Sequence, residues 1–425
     1  MFVSLPVPPP GFCACRPPRA GIACSRLDAS RRTAFPHSEL AALEPRIREI
    51  RHDLHRHPEL GFEEHRTQKL VQNWLEQHGY ETRTCAETGL VADLRPDLVG
   101  RARTIALRAD IDCLPMQETT DLPWRSVHAG RAHKCGHDGH TAILMGVAAL
   151  LAGRRANMPG NVRLVFQPAE EGVRGGGAKV MVEQGVLEQV DEIYALHNWP
   201  DFPLGEVRIC AGPIMAQTHT IEIEVEGEGG HGSQPQVCRD PIVAASHMVC
   251  ALQTAVSRGL GWRGGAVLSI CRFHAGTTDN VIPDRARLSG TLRTFSPEVT
   301  SRMLERIREV VDGTAASFGV RTQLEVDAGY PVLMNDEQCA AAVRRVAETV
   351  VGPEHVSDRD LPIAGGEDFA YFTQAARGAY FFLGAGDPVG ATHGCHHPHF
   401  DFDDRLIPLG IRMLAELAED RLSNP

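Results

Sequence analysis

The chain has 425 residues, 43% of them hydrophobic, which allows one to three domains with a sizeable core and excludes a disordered protein. A net charge of −11 argues against a nucleic-acid surface and against an anionic membrane, and no apolar run approaches the ~20 residues of a membrane span. Twelve scattered cysteines without paired zinc-finger spacing point to a reducing, cytoplasmic compartment with one or two functional thiols, and 41 glycines suit an α/β fold with many tight turns.

Residues 1–36 differ from the rest: three consecutive prolines, Cys13, Cys15 and Cys24, several arginines and a single acid, Asp28. Three readings stand: an unstructured tail, a targeting segment, or an over-extended translation start. A secretory signal is disfavoured, because there is no apolar stretch bounded by a small-residue cleavage site. The three cysteines are a candidate metal group, although composition favours the unstructured reading.

From Ser38 the pattern is regular. Leu40, Leu43, Ile47, Ile50 and Leu54 recur at steps of three and four, one apolar helical face that Ser38 can cap and Pro58 ends. His52, His55 and His57 on this helix read as solvated side chains. A second helix spans about Thr67 to His78. Gly89–Leu94 and Thr104–Pro115 read as strands, the latter apolar on both faces and so central in a sheet. It ends in Asp110 and Asp112, and ligands of open α/β sheets bind beyond such strand ends. Turn formation and capping are the alternative for these two acids.

His133-Lys-Cys-Gly-His-Asp-Gly-His140 then precedes a small-and-apolar helix. Cys135 and His137 are two apart, so on an extended segment both point the same way and can grip one soft-to-borderline metal ion. Strand Asn161–Pro168 ends in Glu170 and Glu171, and strand Asp191–Pro200 carries His197. Successive strands ending in Asp, Glu-Glu and His set these groups along one sheet edge beside Cys135 and His137.

From about residue 214 the sequence alternates polar and apolar residues, the sign of a sheet with one wet face. A strand near 218–226, a helix near 241–256, strands near 266–273 and 286–295, a helix near 297–318 and a strand near 322–326 give a β-α-β-β-α-β order. The fold class is therefore α/β: a mixed central sheet flanked by helices (residues 37–212 and 329–425), with an inserted ferredoxin-like α+β satellite domain at 213–328. The first body resumes with a helix near 337–351, a Gly-rich turn at Ile363–Tyr371, a buried strand at Tyr380–Gly386 and a histidine-rich loop, Thr392–Asp403.

Cys135-Gly-His-Asp-Gly-His140, Phe166-Gln-Pro-Ala-Glu-Glu-Gly172, Leu196-His-Asn-Trp-Pro200, Gly230-His231, Asn280-Val-Ile-Pro-Asp284, Gly365-Gly-Glu-Asp-Phe-Ala-Tyr371 and His396-His-Pro-His-Phe-Asp-Phe-Asp403 occur in order. From Ser38 to the C-terminus this set closely resembles the hippurate hydrolase and N-acyl-amino-acid amidohydrolase group of the aminoacylase and carboxypeptidase metallohydrolase family. The resemblance implies a centre made by Cys135, His137, Glu171, His197 and His396, with two divalent ions (zinc, manganese, cobalt or nickel) and Cys135 bridging. It implies Glu170 as general base, Asp112 as an orienting residue, His231 on the scissile carbonyl oxygen, and Asn280 and Arg293 on a substrate carboxylate. In the wider family a metal-binding His stands where this chain has Asp110.

The function so implied is hydrolysis of N-acyl amino acids to a carboxylic acid and a free amino acid. The alternatives are an exopeptidase or dipeptidase, and a non-catalytic metal or ligand binder, against which the extra carboxylate of Glu170 argues. The expected partners are a small-molecule N-acyl amino acid and a second copy paired through the satellite sheet, with no nucleic acid and no membrane.

Overall fold

The computed structural model describes residues 35–96, 102–172, 175–260, 264–387 and 393–424. Most of the expected tail, with Cys13, Cys15 and Cys24, lies outside the described residues, but Phe35 is already buried in the core.

Helices α1 (His37–Arg56) and α2 (His65–Gln77) precede strands β1 (Glu81–Cys85), β2 (Gly89–Leu94) and β3 (Thr104–Asp110). Helix α3 (His137–Ala152), β4 (Asn161–Gln167), α4 (Gly177–Glu183), β5 (Glu192–Pro203), β6 (Val207–Arg208) and β7 (Gly212–Met215) follow. Next come β8 (Gln217–Glu226), β9 (Gly230–His231), α5 (Pro241–Ser257), β10 (Ala266–Ala275), β11 (Val281–Ile282), β12 (Arg285–Thr294), α6 (Pro297–Phe318) and β13 (Arg321–Ala328). The chain closes with β14 (Leu333–Asn335), α7 (Glu337–Val350), β15 (Val356–Ser357), α8 (Ala370–Ala375), β16 (Arg377–Gly386) and α9 (Leu406–Ser423).

Eight strands form the main sheet in the order β1-β2-β4-β3-β5-β16-β6-β15. Its centre, β4-β3-β5-β16, is parallel, and antiparallel pairs flank it, so the sheet is mixed. Every residue of β3 is buried, as the two-faced apolar pattern requires of a strand between two helical layers. One layer holds Ile47 of α1, Leu144 of α3, Val343 of α7 and Ile411 of α9, and the other holds Met181 of α4 and Phe372 of α8.

Helix α9 has no counterpart in the sequence reading. It packs on α3 at close range: a Cβ on Gly146 would stand 2.4 Å from Ile411, and one on Gly410 would stand 2.6 Å from Ile143. Its Arg421 makes a two-pronged pair with buried Glu192 at 2.9 Å on each arm, fixing the helix to the start of β5.

Four strands make a second sheet, β10-β12-β8-β13, antiparallel throughout. With α5 and α6 on one face it has the ferredoxin-like order, and its own core includes Ile221, Met248, Leu288 and Ile307. The short ribbon of β7 and β14 stands where the chain passes between the two sheets.

Two local expectations are corrected. Pro36, not Ser38, occupies the cap of α1, without a side-chain cap bond. His55 is not solvated: it is buried, with Asp138 2.8 Å from one ring nitrogen and Glu118 3.2 Å from the other. His52 lies flat on Trp124 at 3.7 Å, and both it and His57 stay partly exposed to solvent.

Candidate metal centre

The sheet order explains why the candidate donors meet. β3 lies between β4 and β5, all three parallel, and all run out at one edge. Asp110 pairs with Gln167, three residues before Glu170. The β3–β5 register ends at Arg108 and Ala195, so two residues further on Asp110 stands level with His197.

Cys135 and His137 converge differently from the expected extended segment. His137 is the first residue of α3, and Gly136 before it is left-handed, with φ 109°. A Cβ there would lie 1.9 Å from the Asn198 side chain, so only glycine fits this bend.

Glu170 and Glu171 are turned to the same region by a second tight bend. Ala169 has φ 53°, a conformation that costs energy outside glycine and persists only when its surroundings hold it. Those surroundings are on hand. The Ala169 N–H donates to Glu64 Oε1 at 2.9 Å and the Glu171 N–H to Asp112 Oδ2 at 3.0 Å. The Ala169 carbonyl accepts from Gly177 N–H at 3.0 Å, and the Glu170 carbonyl accepts from the Tyr330 hydroxyl. Burial, with Asp112 nearby, pushes the Glu64 carboxyl up to about 8. Glu64 and Tyr330 carried no role in the sequence reading.

The five expected donors are brought together. Cys135 Sγ lies 3.4 Å from His197 Nε2. His396 Nε2 lies 3.2 Å from Glu171 Oε1, and His137 Nε2 lies 3.9 Å from that same oxygen and 4.0 Å from Glu170 Oε2. Ligand atoms of Cys135, His137 and His197 fall within 4.8 Å of one another, and so do those of Cys135, Glu171 and His396. Cys135 thus belongs to both groups.

The remaining contacts orient these donors. His137 Nδ1 sits 3.1 Å from Asp112 Oδ1, leaving Nε2 to face the others. His197 Nδ1 is held by the Asn198 carbonyl. Asp110 is close, but Arg108 and His140 occupy its two oxygens at 2.7 Å each, and Asn198 takes the other nitrogen of His140 at 2.7 Å. Proximity alone would group Asp110, His137 and His140 as ligands; with Asp110 and His140 already committed, they form a brace instead.

Electrostatics and unpaired atoms both favour a cation here. His137 Nε2 and Glu171 Oε1 are buried without a hydrogen-bond partner, a costly state unless another group completes them. Donor separations of 3.2–4.0 Å suit ions bound at about 2.0–2.3 Å from N, O and S. Burial and His140 hold His197 well below the usual imidazole range, so it is neutral, the ligating form. The hydrogen bond of its thiol with Cys395, then burial, pushes Cys135 up, and burial with Glu367 and Glu171 pushes Glu170 up. Bound cations reverse that local logic. The residues present fit a divalent metal centre.

Glu367 and Asp368, on the Gly-rich turn, also lie against Glu170, with carboxylate oxygens within 4.8 Å. The sequence reading quoted this turn as a motif but assigned it no part. His231 and Asn280 are not brought to the cluster: both are exposed, on or beside the β9–β11 pair, and no hydrogen bond joins them to it among the described residues. Arg293 is half-buried, with Nη1 3.3 Å from where a Gly366 Cβ would stand. Its side chain makes no hydrogen bond or ion pair among the described residues.

A profile of peptidase family M20/M25/M40 matches residues 106–420. The chain is 40% identical over 379 residues to N-acetylcysteine deacetylase of Bacillus subtilis, spanning 89% of this chain and 97% of that one. It is 36% identical over 384 residues to hippurate hydrolase of Campylobacter jejuni, again spanning 89% and 97%. The crystal structure of the Bacillus subtilis YXEP protein, a dinuclear metal-binding peptidase, superposes with a TM-score of 0.78 at 36% identity, covering 91% of this chain and 99% of that one.

Asp112 links two donors, taking the His137 ring on one oxygen and the Glu171 N–H on the other. Asp112→Asn removes the charge and one acceptor while keeping the shape. Its expected effect is a roughly 10- to 100-fold loss of divalent-metal affinity, typical for such supporting residues, read by titration calorimetry. Unchanged affinity would refute the orienting role.

Proposed function

The chain belongs to peptidase family M20/M25/M40 and is a hydrolase of that family, and from this premise we propose that it is a metal-dependent amidohydrolase cleaving N-acyl amino acids to a carboxylic acid and a free amino acid. In this reading residues 37–212 and 329–425 form the catalytic body and 213–328 the satellite. The observation that carries it is the placement of Glu170: a buried carboxylate with no side-chain hydrogen bond among the described residues, beside two buried donor atoms that lack partners. A binder needs the donors but not this extra carboxylate. The deacetylase and hippurate hydrolase relatives support N-acyl amino acids as substrates. The peptidase neighbour supports small peptides as the second reading.

Cys135, His137, Glu171, His197 and His396 would hold two divalent ions, zinc, manganese, cobalt or nickel, Cys135 being common to both donor groups. Such ions supply Lewis acidity toward a carbonyl oxygen and make water a better acid. Glu170 takes the proton of the attacking water on a carboxylate oxygen. It then delivers that proton to the leaving nitrogen, because an amide anion is too basic to depart. Asp112 keeps His137 and the Glu171 backbone in place throughout. His231 holds the scissile carbonyl oxygen. Since it stands exposed on β9, this role requires the satellite to close over the body or a second copy to supply the ring. Arg293, half-buried and without a counter-ion among the described residues, receives the substrate carboxylate, with Asn280 as a second donor.

A second copy pairs through the free edge of β10, where Val267 and Phe273 are 41% and 40% exposed, beside Val243 of α5 at 43%. All nine described cysteines are free, which supports a reducing, cytoplasmic setting. No described helix is long and apolar enough to cross a membrane.

Glu170→Gln cannot shuttle a proton. It is expected to lower kcat by ~10²–10⁴-fold with metal content unchanged, whereas Glu171→Gln should lose metal. Elemental analysis and turnover of both variants decide this, and near-normal turnover of Glu170→Gln would end the mechanism. Arg293→Ala should raise KM for N-acyl amino acids more than for their methyl esters, because only the free acids bring a carboxylate to pair with it. Equal changes for acids and esters would refute the assignment. Light scattering should give a dimer mass, and a fully active monomer would overturn the pairing.

A further inference from the structure

Tyr330 lies where the chain returns from the satellite sheet to the catalytic body, just after β13. Its main chain is zipped to Thr218 at the outgoing crossing. The Thr218 N–H donates to the Tyr330 carbonyl at 3.0 Å, the Tyr330 N–H to Thr218 Oγ1 at 3.0 Å, and the Gly329 N–H to the Thr218 carbonyl at 2.8 Å. Thr218 is also the strand partner of Arg293 in the β8–β12 register. At the other end, the Tyr330 hydroxyl donates to the main-chain carbonyl of Glu170. The ring packs where a Gly176 Cβ would be 3.1 Å from Cε1, and edge-on to Tyr371 at 6.4 Å.

One short path therefore runs from Arg293 to its register neighbour Thr218, and from there through the Thr218–Tyr330 bonds and the Tyr330 hydroxyl to the peptide of Glu170. That peptide follows Ala169, whose strained φ of 53° needs outside support. Among the described residues the Tyr330 hydroxyl is the one clamp on this turn that comes from the crossing; Glu64 and Asp112 belong to the catalytic body. A shift of the satellite sheet therefore reaches Glu170 first through this hydroxyl.

We infer that Tyr330 is a positioning residue that makes the placement of Glu170 depend on how the satellite sheet is seated. The inference rests on the hydrolase reading with Glu170 as base. A substrate whose carboxylate engages Arg293 thereby also settles the base, so binding of the correct end of the substrate is coupled to the chemical step.

The test is Tyr330→Phe, which keeps the ring and removes only the hydroxyl, assayed on N-acyl amino acids with metal content and melting temperature measured alongside. The expected result is a roughly 3- to 10-fold fall in kcat, the loss of one hydrogen bond, with KM within about twofold and metal content unchanged. In a Glu170→Asp background the same change should have little further effect, because both act on one placement. A purely structural role would instead lower melting temperature and metal content and add independently to Glu170→Asp. Should Tyr330→Phe fail to fold, Thr218→Val, which removes the side-chain acceptor of the Tyr330 N–H, is expected to lower kcat in the same direction. An active wild type with unchanged kcat in the folded variant overturns this inference alone. A metal-loaded wild type that hydrolyses neither N-acyl amino acids nor dipeptides overturns the hydrolase reading, and this inference with it.

Discussion

A single guanidinium lies under the candidate centre. Arg108 is fully buried in the central strand β3 and bonds Gln167 on β4 at 2.7 Å, Asp110 at 2.7 Å, and Glu367 and Asp368 on the Gly-rich turn at 2.9 and 3.3 Å. Several carboxylates in one dry region would repel each other and lose hydration. Arg108 offsets both costs, and the attraction raises its own pKa despite burial. It also joins β3, β4 and the turn before α8 at the sheet edge where the donors stand. The position of Asp110, and through it His140 and the start of α3, follows from this contact.

A second buried network holds the Cys135–His137 motif from the opposite side. Asp138 is gripped by Arg51 at 2.9 Å and His55 at 2.8 Å, both from α1, and Lys134 donates to Glu118 and to the Phe400 carbonyl at 2.7 Å each. The motif is thus divided by role: Lys134, Asp138 and His140 bond to the protein, while Cys135 and His137 face the centre. The Phe400 contact, with the bond from the His396 N–H to the Lys134 carbonyl at 2.6 Å, docks the histidine-rich loop so that His396 meets Glu171.

The periodic parts of the fold were legible in the sequence. Alternation marked β8, two-faced apolarity marked β3, and three- and four-residue steps marked α1, since burial imposes those periods directly. The candidates Asp110, Glu170, Glu171 and His197 were legible because such residue types end successive strands, whereas His396 and the separate roles of the two glutamates came only with the family resemblance. What the sequence hid are contacts between distant segments. Nothing local to Glu64, Tyr330 or Arg108 says that each reaches another element, and His55 looked like any polar residue on a helix until Asp138 and Glu118 closed around it. The bend at Gly136 was likewise hidden, since the Cys-Gly-His spacing fits both an extended segment and a left-handed entry to a helix. Helix α9 was missed for a plainer reason: an early proline and glycine, Pro408 and Gly410, obscure a segment whose glycine serves close packing on α3.

The charges left over decide what the centre must contain. Arg108 bonds Asp110, Glu367 and Asp368, while Arg51 and His55 balance Asp138. The donor set has no equivalent. Cys135, Glu170 and Glu171 lie together with no arginine or lysine bonded to any of them among the described residues, and the basic groups beside them are histidines, His396 at 3.2 Å and His137 at 3.9 Å from Glu171, and His137 at 4.0 Å from Glu170. Within the protein alone, the way to bury this group is to protonate part of it, and the upward shifts of Cys135 and Glu170 express that pressure. Divalent cations in the same space would relieve it while leaving the thiolate and the Glu171 carboxylate ionised, as ligands must be. The acid-rich cluster and its missing counter-charge then go together: the fold supplies cations where the site needs bracing and, among the described residues, sets no arginine or lysine against the candidate ligands.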